Sequence, residues 1–127
     1  MAFENASTVF HVRDLNASLK FYTEILGFEQ VFVFGSYGGV KSGNVSIHLS
    51  SPDGDVLHRP LGGGTIYIYC DNVDDYYATI VKKGAKVKGE PRDWSYGMRD
   101  FQVVDPDGNH LAFGCDREKP EEDRSSA

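Results

Sequence analysis

Apolar and polar positions change period repeatedly along the chain. Thr8-Val9-Phe10-His11-Val12 is an apolar run of strand character that stops at Arg13-Asp14. From there Leu15, Leu19, Tyr22 and Leu26 recur at helical spacing, with Asp14 in the N-cap position. A strand therefore feeds a helix. Gly27 suits the position just beyond the helix end, and Phe28 is the apolar residue that often accompanies such a stop. Gln30 to Phe34 and Asn44 to Leu49 then read as strands rich in Val, Phe and Ile. Between them, Gly35-Ser36-Tyr37-Gly38-Gly39 has turn chemistry, with Val40-Lys41 a short strand before Ser42-Gly43.

After a loop over 51–64, holding Pro52-Asp53-Gly54, Arg59-Pro60 and Gly62-Gly63-Gly64, the pattern restarts. Thr65 to Cys70 is a strand, Asp71-Asn72 a cap pair, and Val73, Tyr76, Tyr77 and Ile80 a helical stripe ending at Lys82-Lys83-Gly84. Lys86 to Lys88, Asp100 to Val104 and His110 to Phe113 supply further strands, with Asp105-Pro106-Asp107-Gly108 as the turn of the last hairpin. The two halves correspond in order: Gly27 and Gly84 lie 57 residues apart, Gly43 and Gly108 lie 65 apart, and Ser36-Tyr37-Gly38 matches Ser95-Tyr96-Gly97. Two copies of one module of about 50 residues are expected, over about 7–50 and 65–115, joined by a linker at 51–64 within one domain, 1–115. Residues 116–127 hold eight charges and no apolar anchor and read as a charged, frayed tail. So small a module exposes one sheet face, so the two are expected to pack together or each with a module of a second chain.

Charge narrows the partners. With 13 Lys+Arg against 19 Asp+Glu, the net charge of −6 disfavours nucleic acid and anionic lipid. No apolar run approaches the length of a membrane span, and Met1 to Thr8 lacks the basic and apolar regions of a secretory leader, so a cytoplasmic protein is expected. Cys70 and Cys115 lack metal or redox spacing and read as reduced thiols in or beside strands. An aromatic share of 13% exceeds what a minimal core needs and suits a ligand wall equally well.

The string His11-Val12-Arg13-Asp14-Leu15, with Ser18-Leu19-Lys20-Phe21-Tyr22 and Leu26-Gly27-Phe28, resembles the opening of the vicinal oxygen chelate superfamily, which includes glyoxalase I, bleomycin resistance proteins and extradiol dioxygenases. The closing signature resembles Phe101 to Leu111, through Asp105-Pro106-Asp107-Gly108-Asn109-His110. The resemblance covers about residues 7–115 and implies an α+β fold: two tandem βαβββ modules whose curved mixed sheets surround a cleft, usually in a homodimer. Metal-dependent members place His, Glu or Gln at up to four cleft positions. Those positions fall here on Ser7, His48, Thr65 and Ala112. One imidazole cannot hold a divalent ion against water, so no metal and no cofactor are expected.

What remains resembles the metal-free bleomycin resistance-like branch, with Trp94 to Phe101 similar to its aromatic and glycine stretch. The ligand-binding candidates are His11, His48, Tyr67, Tyr69, Trp94 and Tyr96. If Thr65 faces the cleft, strand parity brings Tyr67 and Tyr69 to the same face, and His11 shares a face with Val9 and Ser7. Each has an ordinary alternative: packing for the rings, a satisfied or solvated histidine for His11, His48, His58 and His110. Phe32 and Phe34 share a face and offer a second wall, with core packing the favoured reading. Asp74 and Asp75 sit in a first helical turn, where the dipole accounts for them, and Gly62 to Gly64 precede a strand and so form no phosphate loop. The sequence thus points to a small-molecule binding protein that sequesters a bulky aromatic or cationic compound without turnover. The alternative is a metal-dependent lyase or oxygenase of the glyoxalase or dioxygenase type.

Overall fold

The computed structural model describes residues 1–2, 4–52 and 60–117. His58, much of the linker and the tail from residue 118 lie outside them. Module one comprises β1 (Thr8–His11), α1 (Leu15–Lys20) continued by a π-helical turn (Phe21–Ile25), β2 (Glu29–Phe34), β3 (Tyr37–Ser42) and β4 (Val45–Ser50). Module two comprises β5 (Thr65–Tyr69), α2 (Val73–Lys82), β6 (Lys86–Val87), β7 (Arg92–Asp93), β8 (Met98–Val104) and β9 (His110–Asp116). The sheets run β1-β4-β3-β2 and β5-β9-β8-β6, with β7 also on β8. In each, the first strand lies parallel to the last and the remaining pairs are antiparallel. This is the α+β architecture of two βαβββ modules, with the second module's β2 counterpart split into β6 and β7.

Local chemistry explains the starts and stops. Asp14 caps α1 by accepting from the Ala17 amide at 3.1 Å, and Asn72 caps α2 by accepting from Asp75 at the same distance. Gly27, at φ +82°, takes the left-handed turn after the π-helical segment, in which Leu26 N donates to the Phe21 carbonyl. Two expectations change. The turn read at 35–39 is shorter, because β3 begins at Tyr37. A Cβ at Gly39 would fall inside the Phe32 ring and one at Gly38 would press on Leu15, so both glycines serve close packing within a strand. β9 continues through Asp116, one residue into the segment read as tail.

Strand parity divides each sheet into a helix-facing side and an open side. On β4, Ile47 and Leu49 are buried while His48 points the other way. On β5, Ile68 is 6% exposed and its neighbour Tyr69 76%. The helix-facing sides of both modules feed one core containing Phe10, Val12, Tyr22, Leu26, Ile47, Ile68, Val73, Phe101 and Phe113. Each large side chain buried there contributes about 1.5–3 kcal/mol. A polar knot ties the modules at the same place. Asp105, 3% exposed, accepts from the Tyr22 hydroxyl, the Asn109 side-chain amide and the backbone amides of Asp107 and Asn109. Asn109 in turn accepts from Gly64 N and donates to the His11 carbonyl.

Candidate ligand-binding site

On the open side of the second sheet, Asp100 is 5% exposed and organises three aromatic side chains. Its carboxylate accepts from Trp94 Nε1 at 2.6 Å, Tyr96 Oη at 2.6 Å and Tyr67 Oη at 2.8 Å. A tight turn presents the first two: Gly97 N donates to the Trp94 carbonyl and Trp94 N to that of Met98. The Trp94 and Tyr96 rings lie nearly parallel, 8° apart with centroids 6.0 Å apart, and the Arg92 guanidinium sits 4.0 Å from the Trp94 centroid. Tyr67 crosses the sheet to Asp100 over Gly114, where any side chain would occupy its place. Tyr69 packs on Tyr67 at 5.2 Å.

The carboxylate also fixes the protonation of these phenols. Hydrogen bonding to Asp100 pushes the Tyr96 hydroxyl up to about 12. Burial, then the Asp100 hydrogen bond, raises Tyr67 further still. Both act as neutral donors over the physiological range.

A second aromatic group occupies the open side of the first sheet. His48 Nδ1 lies 2.9 Å from the Tyr37 hydroxyl, and its ring packs edge-on to Phe32 and Tyr37, with centroids at 5.2 and 5.4 Å. Phe32 and Tyr37 are themselves stacked, and Phe34 extends the group into solvent. His11, register partner of Ser50, shares this side of the sheet with Val9 and His48. Where β1 and β5 approach, a groove of about 520 Å³ is lined by Ser7 and Ser46 from module one and Tyr67 and Tyr69 from module two. Ser7 donates to Ser46 at 2.8 Å on its wall.

Of the sequence candidates, Tyr67, Trp94 and Tyr96 therefore converge on one carboxylate with Tyr69 beside them. His11 and His48 lie on the other sheet, and among the described residues no hydrogen bond or ring contact joins the two groups. Asp100 and Tyr37 escaped the sequence reading. The available signal for Asp100 was a carboxylate inside a strand, four and six residues after a Tyr and a Trp. The four positions to which the resemblance carries metal ligands offer one imidazole, two hydroxyls and a methyl, at His48, Ser7, Thr65 and Ala112. That donor set does not fit a divalent ion. Among the described residues no three His, Cys, Asp or Glu side chains come together as ligands.

Known proteins sharpen this picture. The sequence profile of the Glyoxalase/Bleomycin resistance protein/Dioxygenase superfamily matches residues 6–113. The chain belongs to that superfamily. A protein of Synechocystis sp. named "Probable lactoylglutathione lyase" is 35% identical over 116 residues, covering 80% of this chain and 86% of its own. A solved superfamily member from Sphaerobacter thermophilus is 26% identical with a TM-score of 0.75, covering 91% of this chain and 98% of its own. The bleomycin-binding protein of Streptomyces verticillus, solved with copper(II)-bleomycin, shares the fold at a TM-score of 0.73 and 23% identity, over 93% of this chain and 99% of its own. No described helix of this superfamily member is long and apolar enough to cross a membrane.

Proposed function

We propose that this protein binds and sequesters a bulky planar compound, aromatic and preferably cationic, on its open aromatic faces, without metal and without turnover. The observation that carries the reading is the Asp100 assembly. A buried carboxylate holds Trp94, Tyr96 and Tyr67 in fixed orientations, so a large π surface is ready before a ligand arrives and little side-chain entropy is lost on binding. The net charge of −6 favours a cationic partner. Tyr69 extends the surface toward the groove, and His11 and His48 lie on the separate open face of the first sheet. The shared fold with a bleomycin-binding protein agrees with this reading. In the same reading the chain is a cytoplasmic homodimer, with the exposed Val31 and Val33 of β2 covered by a second copy. Analytical ultracentrifugation returning a monomer would remove that part alone.

Trp94 is the sole tryptophan, so its fluorescence reports on the platform directly. Titration with metal-free bleomycin and with planar acridinium cations should give a saturable change, with a dissociation constant of about micromolar or tighter for at least one compound. Flat titrations throughout would overturn the proposal. The 35% identity to a protein named as a lyase favours a second reading, a metal-dependent lyase or oxygenase. It requires about one equivalent of Ni, Zn, Fe, Mn or Co per chain in untagged protein, measured by mass spectrometry after incubation with each ion. The donor set at Ser7, His48, Thr65 and Ala112 points to far less.

A further inference from the structure

Two cysteines that are distant in sequence become neighbours across the β5-β9 pair. The parallel register aligns Tyr69 with Gly114, and Cys70 N donates to the Gly114 carbonyl at 2.8 Å, which carries the ladder one step further. In a parallel ladder that bond makes Cys70 and Cys115 the next register partners, so their side chains leave the same side of the sheet. Adjacent strands lie about 4.8 Å apart, inside the Cα separation of about 4.4–6.8 Å that a disulfide spans. Both residues are free thiols and both are partly exposed. Their side chains reach different openings: Cys70 lines a small hollow with Phe28 and Tyr76, and Cys115 a broader one with Asp71 and Arg99.

We propose that Cys70 and Cys115 form a reversible intrachain disulfide by exchange with a low-molecular-weight disulfide such as oxidised glutathione. Cys115, at the broader opening, attacks first. Its thiolate displaces one glutathione thiol and leaves a mixed disulfide on the protein. Cys70 then attacks the Cys115 sulfur and expels the second glutathione thiol. The protein dithiol loses two electrons, the external disulfide gains them, and the two S–H protons finish on the released thiols. Burial, with Cys115 and Asp71 nearby, raises the Cys70 thiol above its ordinary value, which suits the resolving role.

The test uses the full chain, reduced, freed of reductant and incubated with oxidised glutathione in a graded series with reduced glutathione. Intact mass should show loss of two hydrogens in a monomeric chain, and peptide mapping should find Cys70 joined to Cys115. Cys70→Ser should instead accumulate one glutathione adduct at Cys115. Cys115→Ser should react at least about tenfold more slowly, because the attacking thiol at the broader opening is gone. A wild-type chain that ends with a glutathione on each cysteine, with unmodified thiols, or with only interchain bonds would overturn the proposal.

Discussion

The Tyr22 hydroxyl donates to Asp105 Oδ2 at 3.0 Å, joining residues 83 positions apart. One partner belongs to the π-helical turn of module one, the other to the final hairpin of module two. The bond is a weld between halves whose strands pair in separate sheets. Burial and the neighbouring carboxylate hold the Tyr22 phenol well above its ordinary value, so it is a neutral donor over the physiological range.

Removing the two partners should have unequal effects. Tyr22→Phe loses one bond while Asp105 keeps three other donors, and should cost about 1 kcal/mol in urea unfolding. Asp105→Ala strands the Tyr22 hydroxyl and the Asn109 amides together and should cost about 3 kcal/mol. Equal losses would mean that the carboxylate is not the centre of the knot.

Asp100→Ala should act on the binding face. Trp94, Tyr96 and Tyr67 lose their common acceptor, and the expected result is a red-shifted Trp94 emission with stability lower by about 1–2 kcal/mol. Affinity for any planar ligand should fall about tenfold as the rings lose their fixed orientation. Asp100→Asn, which keeps an acceptor oxygen, should retain part of both properties.

Stability should decline at the alkaline end for an identifiable reason. Folding raises Tyr96 from 10.0 to about 12 by favouring the neutral phenol beside Asp100, so its contribution is complete below pH 10 and is lost as pH climbs through about 12. Tyrosinate absorbance in the wild type and in Asp100→Asn should separate it: the variant's Tyr96 titrates closer to 10. On the acid side, the Arg99 hydrogen bond lowers Asp74 below 3.8, so that pair contributes above this value and fades beneath it. The pair is solvent-screened, and its loss should be small.

Gly39→Ala should disorganise the first sheet's aromatic group, because its methyl would occupy the space of the Phe32 ring. A cost of about 1–3 kcal/mol is expected, with the histidine resonances of His48 shifting as Phe32 leaves its edge. An unchanged His48 environment would show that the ring is free to move aside.

Much of the architecture was legible because short-range chemistry and long-range packing agree. Asp14 and Asn72 cap as their positions require, Asp105 to Gly108 closes the hairpin, and the alternation of Ile66 and Ile68 with Tyr67 and Tyr69 gives the correct faces. Less legible were the features that depend on a distant partner. Gly38 and Gly39 carry turn chemistry locally, yet they lie in a strand because Leu15 and Phe32 come down on them. Asp105 reads as a turn residue until Tyr22 reaches it from the other module. Asp100 has nothing unusual beside it in the strand, and its importance lies in three donors that the fold delivers. The pairing of Tyr37 with His48 likewise depends on how β3 and β4 align.

The π-helical turn at Phe21–Ile25 bears on how the halves stay in phase. An α-helical residue advances the chain by about 100°, so the wider turn changes the angle at which everything after it departs. Tyr22 points at Asp105 from within this turn, and the Leu26 carbonyl just beyond it accepts from Tyr76 of α2. Deleting one residue there would restore an ordinary helix and aim both groups elsewhere. The angular setting between two similar modules is thus written into a miscounted turn of helix, where a single extra residue works as a vernier.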